Sequence, residues 1–317
     1  MKPGKRDGSR TRGKVQQAIA SAIRSEERCL KQRVSRWRRF TKMEEKIAGS
    51  EKEAAELRVL ELLGLDRKRL DASRRARARV MSDELRKRLR EHLSPRRIPL
   101  PAWINVVPPP LSDEPLKFPV CLFPAQGCTP SGGTSCDAAH ATLRLSSTSS
   151  GLGGNLGLFA VASMPPVSGS LWYGFMSPVS GVLSVTAHLV LSGFMAIYTS
   201  TGGSWILNAL STVEASAELV MRISVHQTGN TQQTERVISL RGHGDVIDYV
   251  RFDRERWTMT LNADVGPAEP VVIRVRAELY AFGRSDYASS LLLFNGSVHG
   301  GISVPALCLS FVPHFIL

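Results

Sequence analysis

From residue 14 to residue 93, apolar side chains recur with a helical period. Val15, Ile19, Ile23, Leu30, Val34 and Trp37 follow one another at steps of 4, 4, 7, 4 and 3, which sets one apolar stripe on one face of a helix. Gly49 suits the position just past a helix end, and Ser50 with Glu53 makes a capping-box pattern. A second helix is therefore expected there, with Leu57, Leu60 and Leu63 as its stripe before Gly64 interrupts it. Asp66 can cap a third helix, whose stripe is Leu70, Met81, Leu85, Leu89 and His92/Leu93 and whose end is Ser94-Pro95. Each stripe is narrow and the opposite faces carry Arg, Lys and Glu, so helices of this kind need one another or a second subunit to bury it. The pattern predicts a helical hairpin or coiled-coil arm, with Ile19, Ile23, Leu30, Val34, Trp37, Leu85 and Leu89 as an oligomerisation stripe between copies of the chain.

From about Phe118 to the C-terminus the period changes to two. Ala217, Leu219, Met221, Ile223 and Val225 alternate with polar neighbours; Trp257, Met259, Leu261 and Ala263 do the same, as do Val271, Ile273, Val275, Ala277, Leu279 and Ala281. Clean alternation of this sort marks antiparallel strands with one face on a core and one on solvent. The apolar window Gly181–Thr199 is long enough to raise the question of a membrane span. Ser184, Thr186 and His188 alternate there with Leu183, Val185, Ala187 and Leu189, which makes it a strand. Gly229-Asn230 and Ser192-Gly193 read as hairpin turns, and the Ser/Gly-rich stretch Ser146–Gly157 as a surface loop. About eight to ten strands without a helix among them favour a two-sheet sandwich, of which the jelly roll is one form.

The resulting class is α+β with the two parts segregated. A basic leader over residues 1–13 precedes the helical arm at 14–93; a proline-rich linker at 94–117 leads into an antiparallel β-sandwich at 118–317. Nine of the 18 prolines fall between Pro95 and Pro124, which makes that connector extended.

Charge sharpens this division. Residues 1–100 hold 30 Lys+Arg against 14 Asp+Glu, or +16, while residues 101–317 hold 11 against 14, or −3. A segment this basic suits a polyanionic partner. Arg36, Arg38 and Arg39 around Trp37, and the cluster Arg74, Arg75, Arg77 and Arg79, are the candidate nucleic-acid contacts: such side chains neutralise phosphates and release counterions without reading sequence. The same charges also suit a solvated stalk, since 14 carboxylates are interleaved with them.

Candidate chemistry is sparse. Gly8-Ser9-Arg10-Thr11-Arg12-Gly13-Lys14 matches G-x-x-x-x-G-K but places Val15 where a magnesium-binding hydroxyl belongs and has no strand before it. Gly151–Gly157 misses the spacing of G-x-G-x-x-G. Cys121, Cys128, Cys136 and His140 offer three thiols and an imidazole to a zinc ion, at gaps wider than a zinc knuckle uses. Five cysteines and no secretory leader predict free reduced thiols and a cytoplasmic location. Gly242-His243-Gly244-Asp245, with Asp248 and Asp253, is the densest polar cluster of the β region and reads as a turn. Trp172, Tyr173, Tyr198, Trp205, Trp257 and Tyr287 could stack on sugars or fill the core. There is no G-x-S-x-G elbow and no H-E-x-x-H, and no cofactor is expected.

Three functions fit these residues. The first is a non-enzymatic assembly or interaction protein whose arm self-associates and whose sandwich presents a binding surface. The second is a nucleic-acid-packaging structural protein, since a basic arm ahead of a sandwich is similar in layout to many small viral coat proteins. The third is a carbohydrate-binding or hydrolytic sandwich.

Overall fold

The computed structural model describes residues 8–62, 72, 105–109, 118–132, 134–150, 161–163, 167–177, 179–199, 213–227, 230–244, 246–267, 269–284, 288–294 and 301–314. Two sheets face each other. One contains β1 (Val106–Val107), β2 (Val120–Leu122), β4 (Ser135–Asp137), β5 (Thr142–Ser150), β8 (Gly181–Thr199), β11 (Val246–Val265), β13 (Ala288–Phe294) and β14 (Gly301–Pro313). The other contains β3 (Gly127–Ser131), β6 (Val161–Ser163), β7 (Val167–Met176), β9 (Glu214–His226), β10 (Asn230–His243) and β12 (Pro270–Arg284).

The order of pairing is informative. In β5 and β7 to β13, taken as eight strands, the first pairs with the eighth, the second with the seventh, the third with the sixth and the fourth with the fifth, all antiparallel. β13 also pairs with β8, and β12 with β9, giving the sheets β5-β13-β8-β11 and β7-β12-β9-β10. A long antiparallel ribbon wrapped in this way is a jelly roll. The alternating residues point as their period demands: Ala217, Leu219, Met221, Ile223 and Val225 of β9 and Val271 to Ala281 of β12 share one core with Leu171, Tyr173 and Phe175 of β7 and with β8 and β11.

The helical half of the expected class is overturned. The protein is predominantly β, and its described N-terminal part is one helix, α1, over Gly8–Leu62. α1 begins inside the stretch read as a leader and runs straight through Gly49 and Ser50. An interior glycine costs a helix only about 1 kcal/mol relative to alanine, and the Glu, Lys and Ala around it are strong helix formers. No hairpin or coiled coil forms among the described residues, because α1 lays its apolar face on the sandwich, against β3, β7 and β12. The third expected helix, with Leu85 and Leu89, lies outside the described residues, as does most of the 94–117 linker.

Two strand-level expectations also change. Ser192-Gly193 is not a turn but the interior of β8. β8 pairs with β14 up to Ser192 and with β13 from Phe194, and a Cβ on Gly193 would lie 2.4 Å from Phe294 and 2.6 Å from the Leu293 carbonyl. Glycine stands there to let the backbones cross. Residues 146–150 of the expected Ser/Gly loop belong to β5, paired with β13; the rest of that stretch lies outside the described residues.

Candidate functional site: the junction of helix and sheet

The outer face of the β7-β12-β9 sheet differs along its length. Near the start of β12 it is apolar, with Trp172 and Val272 buried under Val15 and Ile19 of α1. Gly174 permits this contact: a Cβ there would meet Val15 at 2.9 Å and Ile19 at 3.0 Å, and one on Gly127 would meet Ile23 at 3.3 Å. Further along β12 the outward residues are Arg274, Arg276 and Glu278. α1 follows them, placing first Glu26 and then Arg33 over the strand.

There the two elements share a buried ionic network. Glu26, 6% exposed, receives the Ser170 hydroxyl at 2.8 Å and Arg276 Nη1 at 3.0 Å on Oε1, with Arg274 Nη1 at 3.8 Å. Arg276 Nη2 reaches Glu278 Oε1 at 2.6 Å and donates to Ser168 Oγ at 3.1 Å. Glu278, 1% exposed, also holds Arg222 at 3.0 Å and Arg33 at 3.6 Å and accepts the Tyr280 hydroxyl at 2.7 Å. Four guanidinium groups against two carboxylates leave this junction with an excess of two positive charges. Burial pushes Arg274 below its ordinary range, and Glu26 opposes that shift. Arg274 also stacks over the Trp172 ring at 5.7 Å and donates to Ser224, whose hydroxyl lies 3.0 Å from His226 Nε2. Burial, helped by Arg274, lowers His226 to about 4.

Beyond Glu26, α1 and the end of β3 enclose an open groove of about 630 Å³. Leu30, Val34 and Pro130 form its apolar floor. Glu27, Lys31, Ser35 and Arg39 stand along the helix side at intervals of four, with Ser131 opposite.

The residues singled out by sequence are dispersed. Arg36 and Arg39 are exposed on α1, and Arg38 lies on the same helix; Arg74, Arg75, Arg77 and Arg79 lie outside the described residues. Within the stripe, Ile19 and Ile23 lie against the sandwich of the same chain, whereas Leu30 and Val34 line the open groove. The side chain of Trp37 lies outside the described residues.

The cysteine expectations fail. Cys121 is disulfide-bonded to Cys308, and Cys128 to Cys136, leaving Cys29 as the free thiol. A zinc site needs thiolates, and these sulfurs are bonded to each other; His140 is instead hydrogen-bonded to Asp137 at 2.7 Å. Two disulfides also remove the ground on which a cytoplasmic location rested. Among the described residues no helix is long and apolar enough to cross a membrane.

The aromatic sugar platform does not assemble. Trp172 is 1% exposed, and Tyr173 faces the core, where its hydroxyl has no partner. Trp257 is half-buried with its indole N–H enclosed; Trp205 and Tyr287 lie outside the described residues. Gly242 and His243 are the last residues of β10, paired with Ala215 and Glu214; Gly244 follows at φ +74°, His243 lies 3.6 Å from Glu214, and Asp245 lies outside the described residues.

Sequence reasoning missed Glu26 as a functional position, although a signal was present. The seven-residue step from Ile23 to Leu30 skips one turn of the stripe, and Glu26, three after Ile23 and four before Leu30, occupies that turn.

No protein-family model matches this chain, and no curated protein matches it. Among solved structures it is similar to TmCBM61 in complex with beta-1,4-galactotriose, at 8% identity over 49% of this chain and 69% of that one, with a TM-score of 0.16. It is also similar to the CBM22-1 xylan-binding domain of Paenibacillus barcinonensis Xyn10C, at 12% identity over 60% and 88% of the two chains, with a TM-score of 0.17. At scores this low the likeness says nothing of fold or ligand.

Proposed function

We propose that this protein is a non-enzymatic, nucleic-acid-packaging structural protein of the coat type, in which a jelly-roll sandwich carries a basic N-terminal segment. The observation that carries this reading is the way the segment is attached. Its 30 Lys+Arg outnumber its carboxylates by 16, and Glu26 keys its helix to the outer face of one sheet. The described part of that segment, α1, lies on the outer face of one sheet, and the sandwich itself is slightly acidic. Jelly rolls also serve lectins and cupins, so fold alone does not choose among these functions. The charge partition favours a polyanion.

Titrating the full-length protein with single-stranded RNA of unrelated sequences, over a salt series, tests this reading. Affinity should be indifferent to sequence and fall by about 0.7 log units per log unit of salt for each phosphate neutralised. Weak, salt-insensitive association would refute it.

A further inference from the structure

We propose that the groove between α1 and the end of β3 is a nucleotide-sized binding site for single-stranded nucleic acid. This inference rests on the function proposed above and gives it an address. The groove's 630 Å³ lies within the range of pockets that hold small ligands.

Its walls match a nucleotide in kind. Lys31 and Arg39 stand on one line of the helix, about 12 Å apart along its axis, with the Ser35 hydroxyl midway between them. Neither cation has a carboxylate within ion-pair distance among the described residues, although both are exposed. Glu27 sits at the end of the groove away from Arg39, so the three charged groups of the rim sum to +1. Between the two cations the floor is apolar, from Leu30, Val34 and Pro130, and Ser131 supplies a hydroxyl on the β3 side. One nucleotide fits this arrangement with its base and sugar over the apolar floor and its two flanking phosphates on Lys31 and Arg39. A duplex keeps the faces of its bases stacked inside, so it has no base face to lay on the floor.

The placement is reproducible because the network behind it is fixed. Glu26 and Arg33, on the adjoining face of the same helical turns, hold α1 to β12 and so set the width of the groove.

The test uses the full-length protein and a fluorescent decamer of uridylate, together with the same decamer carrying 5-bromouridine for photocrosslinking. Two double variants remove equal charge from the same helix: Lys31→Gln with Arg39→Gln in the groove, and Arg24→Gln with Arg28→Gln outside it. The groove pair is expected to weaken binding about tenfold and to flatten the salt slope by about 1.4, two phosphates' worth on a single strand. The control pair should weaken it by no more than about threefold, as loss of general electrostatic attraction does. Crosslinks are expected on peptides containing Leu30, Val34 or Pro130. If the wild-type protein binds the decamer and both pairs weaken it equally, or if crosslinks fall elsewhere, the groove is not the site while the packaging function stands. If the wild-type protein does not bind the decamer even at low salt, the function fails and the groove assignment with it.

Discussion

Glu26 of the helix and Arg276 of β12 meet at 3.0 Å with both side chains buried, 250 residues apart in the chain. A buried pair of this kind is costly to break from one side, because the surviving charge is stranded. Glu26→Ala should destabilise the protein by about 3–5 kcal/mol, and Glu26→Gln, which keeps an acceptor for Ser170, should cost less. Urea unfolding followed by far-ultraviolet circular dichroism measures both. A change below about 1 kcal/mol for Glu26→Ala would mean that the helix is not keyed by this residue.

The close approach of α1 to β7 gives a second test. Gly174→Ala places a methyl 2.9 Å from Val15 Cγ1 and 3.0 Å from Ile19 Cδ1, so these helix side chains must shift to admit it. A loss of about 1–3 kcal/mol is expected from overpacking. Adding Val15→Ala to that variant should recover part of the loss, a coupling that a double-mutant cycle isolates. Additive effects would place the helix elsewhere.

Tyr173 offers the opposite sign. Its hydroxyl is buried in the core with no hydrogen-bond partner, and burial raises its ionisation well above the ordinary range. Tyr173→Phe should leave stability unchanged or raise it by up to about 2 kcal/mol, since an unpaired hydroxyl no longer has to be desolvated. The melting temperature decides; a clear fall would require a partner for that hydroxyl.

Acid sensitivity should trace in part to His226, lowered to about 4 from 6.5 by burial and by Arg274. Between these two values the unfolded chain takes up a proton that the folded protein does not, so stability falls as pH drops through that window and is untouched above it. For a half-buried imidazole the loss is about 1–2 kcal/mol. Comparing unfolding of wild type and His226→Gln across that range should show a shallower acid dependence in the variant.

Cysteine chemistry is checked by counting thiols. The folded, unreduced protein should present one reactive thiol, Cys29, and reduction under denaturing conditions should reveal all five. Five reactive thiols without reductant would contradict both disulfides.

The strands were legible because their period is a local property: the windows at Ala217–Val225 and Val271–Ala281 each show one face to the core. What those windows could not reveal was a second layer. Arg274, Arg276 and Glu278 occupy the alternate positions of β12 and read as solvated, yet α1 covers them. The same contact misled the reading of the helix, where a narrow stripe with a carboxylate in its gap resembles a seam between copies. Glu26 makes sense only opposite arginines 250 residues away. The cysteine pairing was hidden for a similar reason, since Cys121 and Cys308 become neighbours only when β2 joins β14. Within the groove, Lys31 and Arg39 were indistinguishable from the other cations of the helix until Pro130 and Ser131 were set beside them.

The packaging function is tested most directly by sedimentation of the full-length protein, purified at low salt without nuclease and recorded at the absorbance maxima of both nucleic acid and protein. A large species carrying nucleic acid, which releases it and shrinks when salt is raised, is the result this account predicts. A small species free of nucleic acid at every salt concentration would contradict it.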